Sequence, residues 1–159
     1  MTPGGGVTTP VRSGHPFVRH HLVMQRAVMV RVNRVVNAIV RGLRLTRFRG
    51  GDLLYLTTTG RTTGERRTVP LLYVRDGEDL VVAASNGGSD WEPGWWLNLQ
   101  ADPRGTVEIA KREMPVTASE VDEPDRSRLW QRLNDQLDAY DGYQKSVRRR
   151  IAVVRLTPE

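Results

Sequence analysis

The sequence predicts a mainly β, α+β domain in which six antiparallel strands curl into a barrel-like sheet with helices at its flanks. Three observations predict it. Short runs rich in leucine, β-branched and aromatic residues recur between turn signals from residue 52 to the C-terminus. Helical pieces interrupt these runs only after the third and the fifth, so strands and helices do not alternate as a βαβ fold requires. The length, 159 residues, suits one domain large enough to bury a core.

The elements follow in order. Residues 1–16 are rich in Gly, Pro, Thr and Ser and are expected to be disordered. Residues 17–45 read as an amphipathic basic helix. Val28, Val32, Val35, Val36, Ile39 and Leu43 share one face, and Arg26, Arg31, Arg34, Asn37, Arg41 and Arg44 occupy the opposite arc. Three roles compete for it. Its apolar face can pack on the domain, it can lie in the interface of an anionic membrane, or it can be a transit peptide. Residues 46–159 form the β domain. Strands are expected at 52–59, 66–75, 79–85, 105–110, 113–121 and 151–156, with Asp76-Gly77-Glu78 as a hairpin turn and Lys111-Arg112 near the tip of another. Pro93 to Leu99 reads as a short helix. A longer one runs from Pro124 to Asp141, with Leu129, Leu133 and Leu137 on one face and Gly142 at its end.

Composition removes several chemistries. There is no cysteine, which excludes disulfides, thiolate zinc sites and cysteine nucleophiles, and fits a reducing cytoplasm. His15, His20 and His21 are the three histidines, so from residue 22 onward no imidazole is available to a Ser-His-Asp triad or a His-rich metal site. No metal is expected. Residues 1–51 carry nine arginines and no acid, whereas the remaining 108 carry 15 basic and 18 acidic side chains. A basic excess confined to one end argues against nucleic acid as partner. No uncharged apolar run reaches the ~18 residues of a membrane-spanning helix. The localisation expected is cytoplasmic, with a peripheral position at the inner face of the cell membrane if the helix is an anchor.

The densest chemistry lies in Leu53 to Tyr73, which reads as strand, glycine-bounded turn and strand. Arg61, Thr62, Thr63, Arg66 and Arg67 place several donors beside Gly60 and Gly64. Arginine forks and turn amides suit a phosphate-bearing anion, and a solvated hairpin tip accounts for the same residues equally well. Further on, Trp95 and Asn98 share a helical face, as do Tyr140 and Tyr143. Core packing is the better reading for Trp96 and Trp130. For Asn98 an ordinary backbone hydrogen bond competes with a site role. Ser85 has no histidine base, so a hydrogen bond suits it better than nucleophilic attack.

In order along the chain stand the Thr57–Gly64 turn with Pro70-Leu71, Ala84-Ser85-Asn86-Gly87-Gly88, Trp95-Trp96-Leu97-Asn98-Leu99 with Ala101-Asp102-Pro103, Tyr140, Tyr143, and the Ile151–Val154 strand. This ordered set resembles the deazaflavin-dependent nitroreductase family over about residues 45–159. The resemblance implies a split β-barrel and the 8-hydroxy-5-deazaflavin coenzyme F-420. The family's Gly-Arg-Lys-Ser/Thr-Gly loop, which holds the coenzyme's phosphate and polyglutamate tail, falls on Gly60-Arg61-Thr62-Thr63-Gly64. Thr62 stands where the family has lysine, and Arg66 is the residue that would replace its charge. By the same resemblance Arg67, Pro70 and Leu71 border the coenzyme. Ala84, Ser85 and Asn86 lie along its phosphate or deazaflavin edge, and Trp95 and Asn98 beside it. Tyr140 and Tyr143 match aromatic positions over the substrate, while a third tyrosine of some members is Leu137 here.

The function these features imply is hydride transfer from the reduced deazaflavin to a quinone-like or nitro acceptor. Tyr140, Tyr143 or Ser85 would donate to the developing oxyanion. Two rivals remain open: an FMN-binding reductase on the same barrel, and a non-catalytic deazaflavin- or membrane-binding module. The sequence leaves the oligomeric state open.

Overall fold

A computed structural model describes residues 45–159 together with residues 38, 39, 42 and 43. The expected tail at 1–16 and most of the helix at 17–45 lie outside the described residues; 38, 39 and 42 are helical, and the Leu43 N–H donates to the Ile39 carbonyl at 2.9 Å.

The body is a mostly β, curled sheet with three α-helices. Its strands are β1 (Arg47–Phe48), β2 (Gly51–Thr59), β3 (Arg66–Leu72), β4 (Val74–Asp76), β5 (Asp79–Ala83), β6 (Arg104–Ile109), β7 (Arg112–Glu120) and β8 (Val153–Pro158). The helices are α1 (Gly94–Ala101), α2 (Asp125–Gln136) and α3 (Ala139–Ser146). All pairings are antiparallel, in the order β1-β2-β6-β7-β8-β5-β4, with β3 on β2.

Six expected strands become eight among the described residues, for two local reasons. The run 66–75 is interrupted at Tyr73. Its N–H still donates to the Asp52 carbonyl of β2 (3.2 Å), but its carbonyl accepts from Gln136 Nε2 (2.9 Å), and beyond it the chain pairs with β5. β1 is a two-residue strand folded back on Gly51–Asp52 through Arg49 and Gly50, both at positive φ. The last strand also begins two residues later than expected, at Val153.

The helix expected from Pro124 to Asp141 is two helices. Leu137 is extended (φ −146°, ψ 100°), ending α2. The Asn134 side chain bridges the corner: its Oδ1 accepts from the Asp141 N–H (2.9 Å) and its Nδ2 donates to the Trp130 carbonyl and to Asp141 Oδ1 (both 3.1 Å). Gly142 therefore lies within α3, and Tyr140 and Tyr143 belong to that helix.

Strand alternation sorts the core onto two sides. Leu80, Val82 and Ala84, with Leu54, Leu56, Val107, Val116, Val154 and Leu156, pack inside the curl against Trp95, Trp96 and Leu99 of α1. Val81, Ala83 and Val153 point the other way, onto Leu129 and Leu133 of α2, Tyr140 of α3 and Ile151. Leu129 and Leu133 are fully buried, each contributing roughly 1.5–3 kcal/mol by removal from water. This division puts α1 and the tyrosine-bearing α3 on opposite faces of β5.

Candidate functional site

The first group of site residues is built on the β2–β3 turn. The Gly60 N–H donates to the Glu65 carbonyl (2.8 Å) and the Gly64 N–H to the Gly60 carbonyl (2.7 Å), closing the loop. Gly64 sits at φ +71°, where a side chain would be strained. Residues 61–67 are exposed. From α1, the buried Asn98 reaches into this turn. Its Oδ1 accepts from the Arg61 backbone N–H and from Arg61 Nη1, both at 3.2 Å, and its Nδ2 donates to Thr58 Oγ1 at 3.1 Å. Arg66 donates to Thr106 Oγ1 (3.3 Å), and Arg67 pairs with Glu65 (3.2 Å) across an exposed surface. Thr62 and Thr63 complete the loop, where Thr63 Oγ1 accepts from the Glu65 N–H (3.4 Å). Pro70 and Leu71 lie on β3 opposite Tyr55 and Leu54 and are half-buried. Trp95 is 7% exposed and packs in the inner core, its ring 6.2 Å from that of Trp96.

The second group surrounds the end of β5. Ala84 is buried, Ser85 and Asn86 are half-buried, and a 3-10 turn follows at Asn86–Gly88. Asn86 Nδ2 donates to the Trp91 carbonyl (3.2 Å), tying this turn to the segment that leads into α1. Asn86, Gly87 and Gly88 all adopt positive φ, at 48°, 60° and 76°. A Cβ at Gly88 would stand 2.9 Å from Tyr143 Cδ1 and 3.1 Å from Ser146 Oγ, so α3 presses directly on the turn there. Tyr143 is half-exposed. Tyr140 is only 5% exposed and stacks edge-on against Tyr143, with ring centroids 6.2 Å apart. Burial, then the neighbouring Tyr143, push its phenol up to about 12.

The structure thus joins Arg61 to Asn98 and sets Tyr143 against the Ser85–Gly88 turn, while Tyr140 lies in the outer core. Trp96 is 4% exposed and Trp130 half-buried, Trp130 donating to Asp141 Oδ1 at 2.7 Å. Two residues were missed. Thr58 holds Asn98, hidden in a run of three threonines of which only it is buried. Arg149 donates to the carbonyls of Ala84, Ser85 and Ser89. Burial pulls its guanidinium below the ordinary value, with Glu92 and Asp90 opposing. It is one of three consecutive arginines, and spacing alone does not say which turns inward.

Donor chemistry fits a phosphate-bearing, polyanionic coenzyme at the first group: three arginines and a closed turn, on an exposed edge. Among the described residues no cluster of three or more His, Asp or Glu is arranged to hold a metal ion. No helix among them is long and apolar enough to cross a membrane.

Comparison with known proteins decides the family. The family model described as F420H(2)-dependent quinone reductase matches residues 26–158. The chain belongs to that family. It is therefore an oxidoreductase, and its cofactor is coenzyme F-420. An F420H(2)-dependent quinone reductase of Mycobacterium tuberculosis is 38% identical over 144 residues, covering 84% of this chain and 95% of its own. Among solved structures, an F420-H2 dependent reductase aligns with TM-score 0.61 and 30% identity over 65% of this chain and 92% of its own. A chain described as a domain-swapped dimer aligns with TM-score 0.62 and 26% identity, covering 83% and 98%. The resemblance read from the ordered motifs is thus met at the level of family, activity and coenzyme.

Proposed function

We propose that this reductase takes a hydride from reduced F-420 for a quinone-like acceptor, binding the coenzyme's phosphate and tail at the Gly60–Arg67 turn. The observation that carries this is the Asn98 clamp. It spends a buried polar side chain on fixing Arg61, an arrangement that a mere hairpin tip does not need. Arg61, Thr62, Thr63, Gly64 and Arg67 supply donors to the anionic portion. Pro70, Leu71, Ala84, Ser85, Asn86 and Trp95 border the ring system. When bound, the coenzyme supplies the hydride; the protein's own groups orient both partners and exclude water. Tyr143 and Ser85 donate to the acceptor oxygen that gains negative charge, and one of them or solvent completes its protonation. Tyr140 supports the ring of Tyr143. A nitro compound is the second acceptor class for the same chemistry.

Ile39 and Leu43, two residues of the apolar helical face, are 54% and 67% exposed, which supports a peripheral position on an anionic membrane for a lipid-soluble acceptor. Co-sedimentation with acidic but not zwitterionic liposomes tests it, and equal sedimentation of a chain lacking residues 1–45 would refute it.

Turnover of reduced F-420 with menadione, beside parallel titrations with oxidised F-420 and FMN, tests the central reading. Tight FMN binding without F-420 binding would overturn it.

A further inference from the structure

The turn that follows β5 has an unusual backbone path. Three consecutive residues, Asn86, Gly87 and Gly88, occupy the left-handed region; the two glycines adopt it without steric cost, while Asn86 needs its surroundings to hold it there. Its own backbone supplies two bonds, from the Gly88 N–H to the Ser85 carbonyl (3.0 Å) and from the Ser89 N–H to the Asn86 carbonyl (3.3 Å). Asn86 Nδ2 adds a bond to the Trp91 carbonyl (3.2 Å), and a further restraint comes from far along the chain. Arg149 Nη2 donates to the carbonyls of Ala84 (2.9 Å) and Ser85 (3.1 Å), and its Nε to that of Ser89 (3.0 Å). One planar guanidinium therefore grips the turn at its entry and at its exit.

Arg149 is itself held. Gln144 of α3 donates through Nε2 to the Arg149 carbonyl and accepts through Oε1 from the Ile151 N–H, each at 2.9 Å, in the manner of a ladder strand. The Arg148 N–H donates to Asp90 Oδ1 (3.0 Å), one residue beyond the turn. Gln144 is the neighbour of Tyr143, whose ring carbon Cδ1 lies 2.9 Å from where a Cβ of Gly88 would stand.

We propose that Arg149 is a positioning residue of the reductase: with Gln144 it locks the Ala84–Ser89 turn and the Tyr143-bearing helix into one unit, so that Ser85 and Tyr143 keep a fixed separation across the acceptor. This rests on the functional reading above for what the turn serves, but not for the clamp itself. Lysine keeps the charge at this position yet lacks the fork that spans three carbonyls.

The test uses the full chain with F-420 bound and free, and reads amide hydrogen exchange beside kinetics. In Arg149→Lys the amides of Gly88 and Ser89 should exchange about tenfold faster, while those of β2, β6 and β7 keep their wild-type rates. With menadione, kcat should fall about tenfold and the KM for reduced F-420 change little. Gln144→Ala should give a weaker version of both effects, and carries the test if Arg149→Lys does not fold. Wild-type exchange at Gly88 and Ser89 in the variants would overturn the proposal. So would faster exchange spread evenly over the whole sheet with kcat per folded molecule unchanged. A wild-type protein that fails to oxidise reduced F-420 would instead sink the functional reading, leaving the exchange pattern to decide whether Arg149 holds the turn.

Discussion

The side-chain oxygen of Asn98 accepts two hydrogen bonds from one residue, Arg61, through its backbone N–H and its guanidinium, each at 3.2 Å. A single amide thus fixes both the path of the turn and the direction of its first arginine. Asn98→Ala removes these bonds and the donor to Thr58, leaving buried polar groups without partners at a cost of about 1–3 kcal/mol. The expected result is a lower melting temperature together with weaker F-420 binding. A variant that loses stability while binding the coenzyme as tightly as the wild type would separate Asn98 from the site.

Arg61 and Arg67 differ in what already holds them. Arg61 is directed by a buried amide, whereas Arg67 pairs with Glu65 on an exposed surface, where such pairs are worth ~0–1 kcal/mol. Arg67 is therefore readily released to a ligand. Each Arg→Ala change should weaken F-420 binding by roughly 1.5–3 kcal/mol, the range for a hydrogen bond to a charged group. Affinity should also fall as salt rises, because the tail is polyanionic. Calorimetric titration at two ionic strengths checks both expectations; salt-independent binding would place the anion elsewhere.

How much of this was readable in advance follows from the range of each signal. Local patterns were legible: the strands near 52–59 and 79–85, and the turns at Gly60–Gly64 and Asp76-Gly77-Glu78. What escaped depended on partners distant in sequence. The α2–α3 corner is set by Asn134 bonding to Asp141, seven residues on, and no propensity marks Leu137 as the point of rupture. Tyr73 ends its strand where the Gln136 side chain, 63 residues on, takes its carbonyl. The spacing of Tyr140 and Tyr143 was read correctly, but their unequal burial was not, since that depends on which side of β5 the helix covers.

Tyr140 gives a prediction in pH. Its folded phenol is raised from 10.0 to about 12, so the native state holds the proton more tightly than the unfolded chain does. The resulting stabilisation is complete below about pH 10 and is lost as pH rises towards about 12. Over that window the loss amounts to about 2–3 kcal/mol. In Tyr140→Phe this alkaline component should vanish, so the melting temperatures of variant and wild type should converge or cross above pH 10. Turnover at neutral pH should change less than in Tyr143→Phe, whose hydroxyl is assigned to the acceptor. Equal loss of turnover in both variants would return Tyr140 to the substrate face.

Gly87 and Gly88 are adjacent, both left-handed, and differ in what stands over them. A methyl group at Gly87 would meet open space, whereas one at Gly88 would lie 2.9 Å from Tyr143 Cδ1. Gly87→Ala should therefore carry only the left-handed penalty, about 1–2 kcal/mol. Gly88→Ala carries the same penalty and must also displace the Tyr143 ring and the Ser146 hydroxyl. If Tyr143 serves the acceptor, Gly88→Ala should reduce kcat with menadione well beyond Gly87→Ala, even at temperatures where both variants are fully folded. Coenzyme affinity should respond similarly in the two, because both alter the same turn. Steady-state kinetics with a thermal melt and an F-420 titration on each variant separate these effects. Matching kcat values in the two variants would show that the contact between Gly88 and Tyr143 is packing alone and that the acceptor lies elsewhere.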